Sequence, residues 1–257
     1  MTGDRALLGL EGRRALVTGG SRGVGRATAL LLARAGASVG IAYRSRDDEA
    51  ADVVREIRDA GVNGWAARGD LTDPAAARAL FDRAEESFGG VDILVGNHGI
   101  WPPEDIPLAE MTFDHWRRTL SVNLDSIFHL CREGAGRIAN GGRIILVAST
   151  AAQRGEAFHG DYAASKGAMV SLVKGLCVEL APRRITVNAV APGWVETDMT
   201  ADVLGGEAGA RVRSGIPLRR IATPDDVAGP IVFLASPLAR HVTGEILNVN
   251  GGAVLPG

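Results

Sequence analysis

The chain has 257 residues, 46% hydrophobic and 23% charged, with 34 Gly and a formal net charge of −2. This balance excludes a disordered chain, and without a basic or acidic tail it gives nucleic acid and anionic membrane surfaces no electrostatic footprint. The longest stretch free of Asp, Glu, Lys and Arg is residues 227–239, broken by Pro230 and Pro237. A membrane span needs roughly 18 apolar residues, and the short run 6–10 falls below the roughly 7 to 15 of a signal-peptide core. Cys131 and Cys177 stand alone without a CxxC pair, which predicts reduced thiols, no metal site and a cytoplasmic protein.

Taken in chain order, short apolar runs at 14–18, 38–43, 63–68, 91–96, 143–149, 185–191 and 245–249 predict strands. Most are β-branched without period-two alternation, as strands covered on both faces are. Amphipathic stretches at 24–35, 47–60, 74–88, 112–138, 162–180 and 224–234 predict the helices between them. Asp73-Pro74 and Thr223-Pro224 read as helix starts, an N-cap residue followed by Pro at the first helical position. Such alternation predicts an α/β fold: one doubly wound parallel sheet of about seven strands, helices on both faces, a single domain over 1–257. Residues 196–215 lack apolar periodicity and read either as a mobile lid or as an exposed connector.

After the first strand comes Thr18-Gly19-Gly20-Ser21-Arg22-Gly23-Val24-Gly25, which opens the first helix. Glycines permit a tight turn and close backbone approach, and a helix N-terminus offers free N–H groups to a pyrophosphate. The spacing Gly-xxx-Gly-x-Gly resembles the first turn of the short-chain dehydrogenase/reductase family. The resemblance extends over essentially the whole chain and implies a Rossmann-type fold. It implies dinucleotide contacts at Gly19, Ser21, Arg22, Gly23, Val24 and Gly25. Where NAD enzymes place an acid for the ribose 2′-OH, this chain reads Tyr43-Arg44-Ser45-Arg46. Arg44 and Ser45, with Arg22, suit a 2′-phosphate instead, so NADP(H) is the expected cofactor and NAD(H) the alternative. Asp47 and Asp48 read as the first turn of the next helix. By resemblance Asp70-Leu71 contacts the adenine, with an N-cap as the other role for Asp70. Asn97 and Gly99 match the family's loop after the fourth strand, where Gly96 and His98 depart from it. His98 would lie beside the nicotinamide ribose.

Tyr162 and Lys166 stand at i and i+4, on one helix face. They are half of the chain's two Tyr and half of its two Lys, in a sequence with 26 Arg. With Asn123 and Ser149 they match the family's catalytic tetrad in type, order and spacing. The resemblance implies that Tyr162 protonates a carbonyl oxygen, Ser149 holds that oxygen, Lys166 binds the ribose and Asn123 holds a water linking Lys166 to solvent. An ammonium near Tyr162 is expected to lower the phenol's pKa from about 10. Further along, Pro192-Gly193, the Val195 backbone and Thr197 are expected at the nicotinamide, leading into the lid. The last strand and the two long helices are the family's usual contact surfaces, which implies a homotetramer.

The run 187–199 looks most like the 3-oxoacyl-carrier-protein reductases, with Arg183 where those enzymes present a basic residue to the acyl carrier protein. Asn140 occupies the second such position. The run 43–50 resembles glucose-dehydrogenase-like members, and Trp101-Pro102-Pro103 reads as an apolar or sugar-stacking wall or as a stiffened loop. The expected activity is NADPH-dependent reduction of a ketone, a 3-oxoacyl thioester or other small carbonyl compound. A sugar or secondary-alcohol dehydrogenase is the alternative, and a cofactor-sensing protein without chemistry is the rival from another class.

Overall fold

The computed structural model describes residues 7–255; the first six residues, Pro256 and Gly257 lie outside the described residues, and with them the first residue of the 6–10 run. Seven strands, β1 (Arg14–Thr18), β2 (Ser38–Tyr43), β3 (Gly64–Arg68), β4 (Val91–Gly96), β5 (Ile138–Val147), β6 (Thr186–Pro192) and β7 (Ile246–Val249), form one sheet in the order β3-β2-β1-β4-β5-β6-β7. Every pairing is parallel. Consecutive strand positions point to opposite faces, and here both faces are apolar. Ala15, Val17, Ile93, Val95 and Ile145 feed one core, while Leu16, Leu94, Ile144 and Leu146 feed the other.

The first core is covered by α1 (Gly23–Arg34), α2 (Asp47–Asp59) and α9 (Pro224–Ala235), the second by α3 (Pro74–Phe88), α5 (Ser126–Arg137) and α7 (Gly160–Leu180). Two helix starts follow the sequence reading. Asp73 accepts the Ala75 N–H at 2.9 Å. Thr223 and Asp226 form a reciprocal capping box, in which the Thr223 hydroxyl accepts from the Asp226 backbone and the Asp226 carboxylate from the Thr223 backbone. Asp70 is no N-cap: its carboxylate accepts the N–H and hydroxyl of Thr72 within the loop. Asp47, Asp48 and Glu49 occupy the first turn of α2, as expected.

Three segments differ from expectation. The helix expected over 112–138 forms without a break over 113–137, but its middle winds as a π turn (Ser121–Asp125) between α4 (Phe113–Leu120) and α5 (Ser126–Arg137). β5 starts at Ile138 and ends at Val147, because Ile138 pairs with Val91 and the register then shifts so that Arg143 faces Ile93. Ser149 therefore lies beyond the strand, where its hydroxyl accepts the Ala151 N–H of the short α6 (Ala151–Arg154). Within 196–215 a helix forms, α8 (Gly206–Gly215).

The order of strands reverses between β1 and β4, so the loops leaving their C-terminal ends diverge. A crevice opens there, the place where open α/β sheets bind ligands. Among the described residues no helix is long and apolar enough to cross a membrane.

Candidate active site at the sheet crevice

A cavity of about 350 Å³ occupies this crevice. One end is the glycine turn. Gly19 and Gly23 have φ of +64° and +54°, a left-handed conformation that glycine adopts without strain. A Cβ on Gly25 would stand 2.1 Å from the Gly19 carbonyl oxygen, so α1 packs against its own turn only because no side chain intervenes. No side chain caps the N-terminus of α1, which leaves backbone N–H groups facing outward for an anion. This cradle fits a dinucleotide's phosphates.

Ser21, Arg22, Val24, Arg44, Ser45, Asp70 and Leu71 line the same end, as the sequence implies. Arg22, however, is paired with Asp198 at 2.8 Å and Arg46 with Glu49 at 3.0 Å. Arg44 makes no ion pair among the described residues. Asp47 is turned away to the Tyr43 hydroxyl, at 2.8 Å, and to Arg68. The end of β2 thus offers the cavity a cation held in no ion pair, with the Asp70 carboxylate acting on it only at longer range.

Asn97 ties the two sides of the crevice together, its Nδ2 donating to the Thr18 carbonyl at 2.9 Å. His98 and Gly99 follow it along the wall. The loop of Val195, Thr197 and Asp198 folds back over the turn, its Thr197 methyl 3.3 Å from the place a Cβ on Gly23 would take.

Ser149, Tyr162 and Lys166 line the other end, with Pro192, Gly193 and Val195 beside them. The Ser149 hydroxyl lies beside the Tyr162 phenol, where it favours the phenol's charged form. Lys166 Nζ is buried 5.9 Å from the Tyr162 ring centroid and donates to the Val147 carbonyl at 2.9 Å. Burial lowers the Lys166 amine to about 8. The expectation that this amine depresses the phenol is corrected: burial pushes Tyr162 up to about 12, against the opposing effect of Ser149, and the nearby Glu156 carboxylate adds to the rise. A phenol so placed is a neutral proton donor.

Asn123 is buried in the π turn just behind Lys166, both within reach of Gly99. Its Oδ1 accepts the Ile100 N–H at 2.7 Å; its Nδ2 donates to the Ile100 carbonyl at 2.9 Å and to Ser165 Oγ at 3.2 Å. Both side-chain N–H groups are therefore engaged in holding the 97–101 loop to α7. Any water it binds must use the remaining lone pair of Oδ1 or the backbone.

The wall facing Tyr162 is aromatic and acidic. Trp101 stacks on His159 with centroids 4.8 Å apart and meets Trp194 edge-on at 5.7 Å. Its Nε1 lies 3.3 Å from Glu156 Oε1. Trp101 was visible in the sequence as a wall candidate; Trp194 and Glu156 were not, because the loop after β6 and the α6–α7 loop bring them to it from distant parts of the chain. Arg183 is not free for a partner. Its guanidinium donates to Asn140 Oδ1 at 3.0 Å and to the carbonyls of Ala135 and Ile138.

Residues 19–254 match the family model described as enoyl-(acyl carrier protein) reductase. The chain is 40% identical over 247 residues to a 3-oxoacyl-acyl-carrier-protein reductase of Vibrio cholerae, covering 95% of this chain and 98% of that protein. It is 38% identical over 247 residues to an L-rhamnose 1-dehydrogenase (NAD(P)+) of a Sphingomonas species, covering 95% and 96%. The crystal structure of a Burkholderia cenocepacia short-chain dehydrogenase in complex with NADP superposes with a TM-score of 0.89, at 41% identity over 95% of this chain and 98% of that one.

Proposed function

The chain belongs to the short-chain dehydrogenase/reductase family and is an NAD(P)-dependent oxidoreductase, and from that premise we propose that it reduces ketone carbonyls with NADPH. The observation that carries this reading is the meeting of Ser149, Tyr162 and Lys166 at one end of a cavity whose other end is the glycine turn. When bound, the reduced dinucleotide supplies a hydride to the carbonyl carbon. Tyr162, a neutral acid, gives its proton to the carbonyl oxygen, and C=O becomes CH–OH. Ser149 bonds both the phenol and that oxygen and so fixes the line of proton transfer. Lys166 holds the ribose hydroxyls, and Asn123 fixes the loop and helix that carry Gly99 and Lys166. Arg44, the unpaired cation at the end of β2, binds the 2′-phosphate and sets the preference for NADPH.

Residues 196–215 act as a lid over the substrate end, on a single catalytic unit spanning 1–257. A homotetramer is the proposed assembly, supported by exposed Phe128 on α5 and Val178 on α7. A cytoplasmic setting suits the NADPH supply.

Among substrates, 3-oxoacyl thioesters remain in the reading through the relatives, acyl-carrier-protein-linked ones included. One observation favours a free small carbonyl compound or sugar instead: Arg183 and Asn140 are bonded to each other, and the pocket wall is Trp101, Trp194 and Glu156. Reduced-nicotinamide absorbance, followed with a β-ketoacyl thioester, an enoyl thioester, small ketones and aldoses, separates these. Tyr162→Phe is expected to lose about 100-fold or more in kcat while binding NADPH within about threefold of wild type. Near-normal turnover by Tyr162→Phe would defeat the mechanism.

A further inference from the structure

The His98 side chain joins the end of β1 to the start of α5. Its Nδ1 lies 2.8 Å from Thr18 Oγ1, at the end of β1 where the glycine turn begins. Its Nε2 lies 2.6 Å from Ser126 Oγ, at the start of α5 immediately after the π turn that holds Asn123. Both hydroxyls are buried.

The protons on this chain of atoms can be assigned by counting. Ser126 has a single hydroxyl proton, and its oxygen sits 2.6 Å from the Val122 carbonyl, a separation that requires the proton to lie between them. The Ser126 backbone N–H bonds the Ser121 carbonyl in the π pattern, so the Ser126 hydroxyl serves the Val122 carbonyl in its place. Ser126 Oγ must then accept from His98 Nε2–H. At the other end, Thr18 Oγ1 accepts two backbone N–H groups, from Asn97 at 3.0 Å and His98 at 3.3 Å. Both lone pairs are filled, so Thr18 can only donate, and its single proton has two acceptors in reach, the Val95 carbonyl at 3.3 Å and His98 Nδ1 at 2.8 Å; it goes to the nearer, and His98 Nδ1 accepts. The two ends specify the same form: neutral, with the proton on Nε2.

Resting on the dinucleotide-dependent reading above, we propose that His98 is a positioning residue, a neutral Nε2–H imidazole that fastens the π turn carrying Asn123 to the glycine turn. Through it, the loop that holds the dinucleotide and the helix segment that orients Asn123 and Lys166 keep one spacing. A protonated imidazole does not fit, since Nδ1–H would face an oxygen with no lone pair left. Two charged groups act on the ring, Lys166 opposing its protonation and Asp70 favouring it, while burial holds its pKa down near 3.

The test is nitrogen-15 NMR of the histidine-labelled full chain, with kinetics on variants. The expected His98 signature is a protonated Nε2 and a bare Nδ1, unchanged from about pH 5 to pH 8, since its pKa lies well below that of ordinary histidine. His98→Ala is expected to lower kcat about tenfold, the worth of one lost hydrogen-bonded link between the two turns, with KM for the carbonyl compound within twofold. Ser126→Ala should lose as much, and the double variant no more than either, because both remove the same link. His98→Gln, whose Nε2 can still donate to Ser126, should recover most of kcat; His98→Asn, too short to reach Ser126, should not.

A proton on Nδ1, a titration near pH 6.5, or a His98→Ala enzyme with unchanged kcat overturns the proposal. The NMR result stands on wild-type protein, so it decides the tautomer even where a variant fails to fold. If no carbonyl compound is turned over at all, the reductase reading fails while the tautomer is still measured.

Discussion

Lys166 makes a sharp prediction about pH. Its amine is buried against the Val147 carbonyl, 2.9 Å away, and its pKa lies at about 8, while the neighbouring Tyr162 phenol lies at about 12. In the proposed role the charged ammonium receives the ribose hydroxyls, so the enzyme that binds NADPH productively is the one with Lys166 protonated and Tyr162 neutral. The sign follows: protonated lysine exists below its pKa, so activity is lost as pH rises. The profile of kcat/KM for NADPH reports groups of the free enzyme. It should be nearly flat up to about pH 7, bend near pH 8 and then fall about tenfold per pH unit, reaching about one hundredth of the plateau near pH 10. Tyr162 contributes little to this limb, because about 99% of a phenol with a pKa two units higher is still protonated there. The assay is initial-rate absorbance at saturating carbonyl compound, in constant-ionic-strength buffers. A profile that stays flat through pH 10 would refute the claim that burial, rather than the ordinary amine pKa, governs Lys166.

Three further outcomes test the cofactor end and the scaffold. Arg44→Ala should lower kcat/KM for NADPH about 10- to 100-fold, the worth of a charge-assisted bond, and leave NADH unchanged; equal losses with both cofactors would remove Arg44 from the 2′-phosphate. Gly25→Ala places a Cβ 2.1 Å from the Gly19 oxygen and 2.6 Å from Asn97 Nδ2. The overpacking should cost about 1–3 kcal/mol and raise the NADPH Kd at least tenfold by calorimetric titration, and an unchanged Kd would contradict the cradle. Thr223→Ala should cost about 1 kcal/mol in urea unfolding through loss of the cap on α9. Arg220 holds the Asp226 carboxyl well below the usual carboxylate range. That contribution is therefore present above the ordinary carboxylate pKa and lost only as the medium becomes strongly acid.

The parts of the site that were legible in the sequence are those set by local rules. The glycine spacing after β1, the i, i+4 pairing of Tyr162 with Lys166 and the caps at Asp73 and Thr223 each depend on residues a turn or less apart. What sequence reasoning missed depends on distant partners. The π turn exists where Asn123 reaches the Ile100 backbone, 23 residues away in the chain, and no periodicity of 112–138 records that contact. Likewise Ile138 joins the sheet through Val91, although the Asn140-Gly141-Gly142 that follows it reads as a turn. Arg183 was legible as a cation but not as one already bonded to Asn140 and two carbonyls. The direction of the Tyr162 shift failed for a related reason: proximity to an amine is visible as spacing, whereas the depth at which a phenol sits is not.

The two-sided sheet divides the enzyme's tolerance to change. Adjacent residues of a single strand belong to different layers: Ile145 supports the side carrying α1 and α9, Ile144 the side carrying α5 and α7. Truncating Ile145 would loosen the bed under the phosphate turn, and truncating Ile144 the bed under the proton donor. Sequence drift can thus retune coenzyme grip and chemical step one at a time, by alternating positions along the same ribbon.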